Sequence, residues 1–342
     1  MSLVRPIVIG LDGLVLTTSE RSWLSELRPY GVILFSRNIA DRPQVSELTT
    51  QIREVLGPDA AILIDQEGGR VMRLRPPHWP SLPSPLQIAK RWRRHQFQGL
   101  EAANALGQVI GSTLAEVGIS HACAPVVDLH YPNADPVIGD RAFGELPAEV
   151  IPLATAFLDG LGQSGVQGML KHIPGMGRSA VDSHTHLPVI QTPVDTLAGS
   201  DWLPFQAISG CRWAMTAHVV IPEWDDKPVT VSERAITEIR TRFGDPFLIS
   251  DCLTMGALSG GIAERVQMTL DAGVDLALFS NGSDAERRLA VESAGEPRLV
   301  REAMNPLRAL PAEQFALRLQ KLEQIEASEG VPADPTTDLP AV

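Results

Sequence analysis

Eight short apolar runs, most followed by segments with helical spacing, set the tightest limit on how this chain can fold. They are Pro6 to Leu11, Gly31 to Phe35, Ala60 to Ile64, His121 to Val127, Val166 to Leu170, Trp213 to Ala217, Pro246 to Ile249 and Val274 to Phe279. Each is four to seven residues long and mostly β-branched or aliphatic. Strands buried on both faces of a parallel sheet have that composition. Between them, Pro43 to Leu56, Gln108 to Val117, Pro147 to Leu161, Ser232 to Arg242 and Ala263 to Asp271 read as helices. Around the second of these, Leu106, Val109, Ile110, Leu114 and Val117 fall on one helical face. Strands alternating with helices predict βα units. Eight such units predict one α/β domain, a (β/α)8 or TIM barrel. A doubly wound open sheet is the alternative. It fits less well, because no GxGxxG fingerprint follows the first strand.

The 342 residues suffice for one such barrel, expected over 1–325. The stretch 326–342 is rich in Pro, Asp, Ser and Thr and is expected to be a disordered tail. The net charge of −12 argues against nucleic acid as a partner. No polybasic patch points to a membrane, and the cluster Arg91 to Arg94 reads as a solvated helix face. Three separated cysteines, Cys123, Cys211 and Cys252, lack a CxxC and read as buried thiols in a reducing compartment. No apolar stretch reaches the roughly 18 residues of a membrane span, and Met1 to Gly10 lacks the pattern of a signal peptide. A cytoplasmic protein, monomeric or weakly dimeric, is expected.

Function in a parallel barrel gathers where the strands end. Here every run ends in polar residues: Asp12, Ser36-Arg37-Asn38, Asp65 to Arg70, Asp128, Lys171-His172, His218, Ser250-Asp251 and Ser280-Asn281. A polar residue after a strand is, taken singly, more often a turn former or helix cap. Eight together, with Lys, His and Asp among them, suggest a mouth for a polar, hydroxyl-rich ligand such as a sugar.

The loop from Lys171 to Pro188 holds two glycines, Gly175 and Gly177, and two prolines, Pro174 and Pro188, so it is not a regular helix. Within it Asp182 and His184 are two apart, a spacing that allows the carboxylate to hold the imidazole for proton transfer. A surface loop with a local Asx turn explains the same spacing, and spacing does not choose between them. His184-Thr185-His186 also offers an HxH, which with His172, His218 and Asp251 would compose a zinc site. A mid-loop pair is a poor preorganised ligand set, so no metal is expected.

These residues, read together, carry a resemblance. The chain resembles the family 3 glycoside hydrolases, in particular single-domain bacterial β-N-acetylglucosaminidases of cell-wall recycling. The matching motifs run in order: Gly31 to Asn38, Ile64-Asp65-Gln66-Glu67-Gly68-Gly69-Arg70-Val71, Ala124 to Asp128, Ile138 to Gly144, Lys171-His172-Ile173-Pro174-Gly175, Asp182-Ser183-His184, Met215-Thr216-Ala217-His218 and Ser250-Asp251. The resemblance implies a retaining hydrolase that removes terminal β-linked N-acetylglucosamine from muropeptide fragments, without a cofactor. It implies Asp251 as nucleophile and His184, oriented by Asp182, as acid/base. It further implies Asp65, Arg141, Lys171 and His172 as sugar-binding residues, with Asp128, Arg70, Met215 and His218 lining or supporting the pocket. Two positions depart from the family pattern: Met176 replaces a common histidine, and Cys252 a common second aspartate. A phosphorylase using the same dyad, a metal-dependent hydrolase, and a barrel that binds sugar without turnover are the competing readings.

Overall fold

The computed structural model of the chain describes residues 3–300 and 305–329. Eight parallel strands form the centre: β1 (Leu3–Gly10), β2 (Pro29–Leu34), β3 (Ala61–Ile64), β4 (His121–Ala122), β5 (Leu170–Ile173), β6 (Trp213–Thr216), β7 (Phe247–Ser250) and β8 (Ala277–Phe279). Continuous pairing runs β8–β1–β2–β3–β4 and β5–β6–β7. The two sheets join through isolated parallel bridges, His121 with Gln167, Val126 with Lys171, and Ile249 with Leu276. At those joints Met169 N–H donates to the Ala124 carbonyl at 2.7 Å and Ser250 N–H to the Leu276 carbonyl at 2.9 Å. The order of strands around the ring is the order of the chain. This is the expected (β/α)8 barrel.

The side-chain alternation of the strands sorts the core into two layers. Val8, Ile33, Leu63, Cys123, Met169, Met215, Ile249 and Leu278, one from each strand or its edge, pack together in the barrel interior. Their neighbours Ile7, Ile9, Val32, Leu34, Ile62, Ile64 and Leu248 belong to a second cluster shared with the surrounding helices. Period-two alternation makes this split unavoidable once the sheet curls on itself.

The helices are α1 (Thr18–Leu27), α2 (Arg42–Leu56), α3 (Pro85–Arg94), α4 (Gln96–Glu116), α5 (Pro147–Gly162), α6 (Val194–Ala198), α7 (Leu203–Ala207), α8 (Glu233–Arg242), α9 (Ile262–Asp271), α10 (Asp284–Ser293) and α11 (Ala312–Glu329). Local sequence sets several starts. Thr17 with Glu20 and Ser283 with Glu286 form capping boxes, and Pro147 occupies the first turn of α5.

Several expectations need adjustment. The fifth run, Val166 to Leu170, ends where β5 begins, so Lys171 and His172 lie inside the strand. The fourth run pairs as a ladder only over His121–Ala122. Pro125 has no N–H to donate, and the chain beyond it continues through single bonds such as Val127 N–H to the Lys171 carbonyl at 2.9 Å. A hairpin of Gln66–Gly68 and Val71–Met72 was not foreseen. Nor was the edge strand Arg298–Leu299, antiparallel to Leu3 and Val4. Residues 326–329, expected in the tail, belong to a helix. Helix α11 continues to Glu329, Glu326 accepts from the Ser81 hydroxyl at 3.0 Å, and Glu329 pairs with Arg94 at 2.9 Å. The rest of the expected tail lies outside the described residues. Within the Arg91–Arg94 cluster Arg93 and Arg94 are exposed, as expected of a solvated face, and Arg93 also pairs with Glu149 at 2.6 Å. No described helix is long and apolar enough to cross a membrane.

Candidate active site

A pocket opens at the carboxyl ends of the strands. Its polar wall is made by Asp65, Arg73, Arg141, Lys171, His172, Ser183, His184 and Asp251. Ile33, Phe35, Met176, Met215 and Leu278 supply apolar wall. Ile33, Met215 and Leu278 also belong to the interior barrel layer, so the floor of the pocket is the top of the barrel core.

One side of the pocket is a charged lattice. Asp65, directly after β3, receives the Lys171 ammonium at 3.1 Å and the Arg73 guanidinium at 3.0 Å. Glu67, on the hairpin, takes Arg141 through two parallel bonds of 2.9 Å and Lys171 at 2.6 Å. Burial alone would raise both carboxyls, but Lys171 with Arg73, and Arg141 with Lys171, outweigh it. Asp65 is held well below the ordinary carboxylate range and Glu67 at about 2. Desolvation disfavours the charges of Lys171 and Arg141, yet the facing carboxylates raise both above their ordinary values. The lattice is therefore fully ionised. It presents fixed donors and acceptors, the equipment for gripping sugar hydroxyls and an amide.

His172 is fixed from behind. Asp128, 1% exposed, accepts from the His172 backbone N–H at 3.0 Å, from His172 Nδ1 at 2.7 Å and from the Met176 N–H at 2.7 Å. An imidazole whose Nδ1 faces a carboxylate directs Nε2 outward. Asp128 does not line the pocket; it shapes the turn that does. The Lys171–His172 peptide is cis.

The loop after β5 then crosses the mouth. Gly177 is needed there, because a Cβ on it would stand 2.1 Å from the Leu129 carbonyl oxygen of the neighbouring loop. At the loop tip Asp182 Oδ1 accepts from His184 Nδ1 at 2.6 Å and from the His184 N–H at 2.9 Å. The Asp182 side chain is 27% exposed and that of His184 15%, so the pair meets both solvent and pocket.

Asp251 follows β7. Cys252 N–H donates to its Oδ1 at 2.7 Å. Burial would raise the Asp251 carboxyl; the His218, His172 and His184 imidazoles and that N–H more than compensate and lower it. The group is thus an ionised carboxylate in a pocket that also holds an oriented histidine. Such an arrangement can attack an electrophilic carbon and shuttle a proton beside it.

Not every residue singled out from the sequence reaches the pocket. Arg70 turns away, to Asp140 at 2.8 Å and to the Pro136 and Val137 carbonyls at 2.9 Å. Arg73, three residues on, lines the pocket and pairs with Asp65, where Arg70 was expected as a lining or supporting residue. Glu67, to which the sequence assigns no role, is the second carboxylate of the charged lattice. His218 is buried, with Nδ1 against the Thr230 hydroxyl at 2.8 Å and Nε2 on the Cys252 carbonyl at 3.0 Å. It supports the segment carrying Asp251. Asp12 and Arg37 tie strand ends together, through Arg287 and through the Leu11 and Ser280 carbonyls. His186 bonds its neighbour Thr185 at 2.9 Å. Among the described residues, no group of three His, Cys, Asp or Glu side chains is assembled as a metal site.

This geometry meets a matching lineage. The model of the glycosyl hydrolase family 3 N-terminal domain matches residues 9–302. The chain belongs to glycosyl hydrolase family 3. Among relatives of that kind, a β-hexosaminidase of Thiobacillus denitrificans is 37% identical over 282 residues, 81% of this chain and 78% of the relative. Another, from Aromatoleum aromaticum, is 34% identical over 92% of this chain and 90% of its own length. Among solved structures, NagZ from Neisseria gonorrhoeae in complex with N-trifluoroacetyl-D-glucosamine is similar with a TM-score of 0.80 and 29% identity. That likeness covers 94% of this chain and 98% of NagZ. The matched span takes in β2 to β8 and the last two residues of β1.

Proposed function

We propose that this family 3 enzyme is a retaining β-N-acetylglucosaminidase acting on small cell-wall-derived saccharides. Membership of the family, and relatives named β-hexosaminidase, support a hydrolase acting on β-N-acetylhexosaminides. The observation that carries the mechanism is that one pocket holds both the low-pKa carboxylate of Asp251 and the Asp182-bound imidazole of His184.

The sugar is gripped by Asp65, Arg73, Arg141, Lys171 and His172. Asp251 attacks the anomeric carbon as the imidazolium of His184 gives its Nε2 proton to the departing oxygen. A glycosyl ester on Asp251 results. The neutral imidazole then takes a proton from water, whose oxygen attacks the same carbon and releases Asp251. Two displacements retain the anomeric configuration. Asp182 holds Nδ1, so that Nε2 faces the reacting oxygens. Every group required is a side chain of this chain.

An aryl β-N-acetylglucosaminide, hydrolysed alongside the corresponding β-glucoside, tests the reading. Preferred cleavage of the acetamido sugar, unchanged by added phosphate and lost in Asp251→Ala, is expected. A sugar 1-phosphate as main product would establish a phosphorylase instead, and wild-type turnover by Asp251→Ala would refute the nucleophile.

A further inference from the structure

A backbone seam joins the segment bearing Asp251 to the loop bearing His184. Gly256 N–H donates to the His184 carbonyl at 2.9 Å, and Ala257 N–H to the Ser183 carbonyl at 3.3 Å. A Cβ added to Gly256 would stand 2.9 Å from the His184 carbonyl oxygen and 3.0 Å from that of Thr185. Both are backbone atoms. They belong to a tip already tied down, because Thr185 and His186 N–H groups donate to the Asp182 carbonyl at 3.1 and 3.0 Å. The loop therefore cannot yield as a flexible side chain would.

The other side of the seam is fixed too. Arg265 donates to the Leu253 carbonyl at 2.7 Å and to the Met255 carbonyl at 3.2 Å. His218 holds the Cys252 carbonyl, and the Cys252 N–H holds Asp251. From Asp251 to Leu258 the chain is a braced platform, and the peptide of His184 rests on its one residue without a side chain.

We infer that Gly256 is a positioning residue for the acid/base. It lets the platform approach the backbone of the 183–185 tip closely enough to set where the His184 imidazole stands relative to Asp251. A side chain at 256 lifts the tip by a few tenths of an ångström and moves the proton donor away from the leaving oxygen. Misplacement of about 1 Å costs roughly 100-fold in rate, so a smaller displacement is expected to cost about tenfold. The cost falls only where proton donation matters. The inference rests on His184 being the acid/base.

The test compares Gly256→Ala and Gly256→Val with wild type on two aryl N-acetylglucosaminides, one leaving as phenol and one as 2,4-dinitrophenol. The dinitrophenolate departs without a proton, so its release does not need His184. Gly256→Ala is expected to lose about tenfold in kcat/KM on the phenyl glycoside, less than about threefold on the dinitrophenyl glycoside, and nothing in affinity for N-acetylglucosamine. Gly256→Val should show the same pattern more strongly. Position 256 is exposed, so neither variant opens the core. Arg265→Lys, which loosens the platform from the other side, should also lose more on the phenyl glycoside. Equal losses on both substrates, or none, would overturn the inference while leaving the acid/base reading intact. His184→Ala separates the two: if it too loses equally on both substrates, the acid/base reading falls and the inference with it.

Discussion

Asp182 holds His184 at two points, with Oδ1 accepting from both Nδ1 at 2.6 Å and the backbone N–H at 2.9 Å. One carboxylate oxygen thereby fixes both the ring and the peptide that carries it. Asp182→Asn keeps an acceptor oxygen but removes the carboxylate that holds Nδ1 and so directs Nε2. We expect kcat on the phenyl glycoside to fall by about 10²-fold or more, within the range for acid/base catalysis, with KM little changed. Steady-state kinetics on that substrate checks this; a KM effect alone would place Asp182 in sugar binding.

Asp251 is kept ionised below the usual carboxylate value of 3.8 by the His218, His172 and His184 imidazoles and the Cys252 N–H, against the effect of burial. The carboxylate therefore persists as pH falls through that value. The acid limb of kcat/KM should lie below about pH 4. His172→Gln removes one of the imidazoles and should move that limb upward. A pH profile of kcat/KM in both proteins is the measurement, restricted to pH values where they remain folded.

Glu67 is a structural carboxylate. Its side chain is 1% exposed, and it neutralises Arg141 and Lys171. Its folded pKa, about 2, lies below the ordinary 4.5. A depressed carboxyl stabilises the fold fully above about pH 4.5, and the contribution disappears as pH falls through about 2. Glu67→Gln leaves two buried cations facing each other and should cost about 3–5 kcal/mol at neutral pH. Its stability should also decline less steeply between pH 4.5 and 2 than that of wild type. Denaturant unfolding across that range reads both effects.

Asp128 never meets the pocket, yet it accepts three bonds that fix His172 and Met176. Asp128→Ala orphans three buried donors, each at about 1–3 kcal/mol. We expect a lower melting temperature together with a raised KM, because His172 loses its fixed orientation. Asp128→Asn, which retains acceptor oxygen, should recover part of both.

The barrel was legible because its signal is redundant. Eight apolar runs in register with helical segments leave few other closures, and the outward and inward alternation of Ile7, Val8 and Ile9 follows from strand geometry alone. The sequence blurred where the barrel meets the site. Lys171 and His172 end an apolar run by composition but continue β5 by hydrogen bonding. The short hairpin at Gln66–Met72 has no periodicity long enough to register. That hairpin decides which arginine serves the pocket: it carries Arg70 out to Asp140 and brings Arg73 in to Asp65. Glu67 was hidden by the same turn. Strand-end position identified Asp65, Lys171, His172 and Asp251, but it flagged Asp12, Asp128 and His218 equally. The roles of those three, bracing and orienting, depend on partners far away in sequence. Met176, marked as a departure from the family pattern, is 2% exposed and lines the pocket. Cys252, the other departure, packs its thiol against the Ser280 hydroxyl at 2.8 Å.

In the proposed mechanism Asp251 carries the sugar between the two steps. In His184→Ala, an activated dinitrophenyl N-acetylglucosaminide can still load the nucleophile, while water lacks the base that would release it. Intact-mass spectrometry of that variant after mixing, followed by peptide mapping, is the most direct measurement. The account predicts one N-acetylhexosaminyl group per chain, on the peptide containing Asp251. An adduct on another carboxylate, or rapid turnover to product of inverted configuration with no adduct, would contradict it.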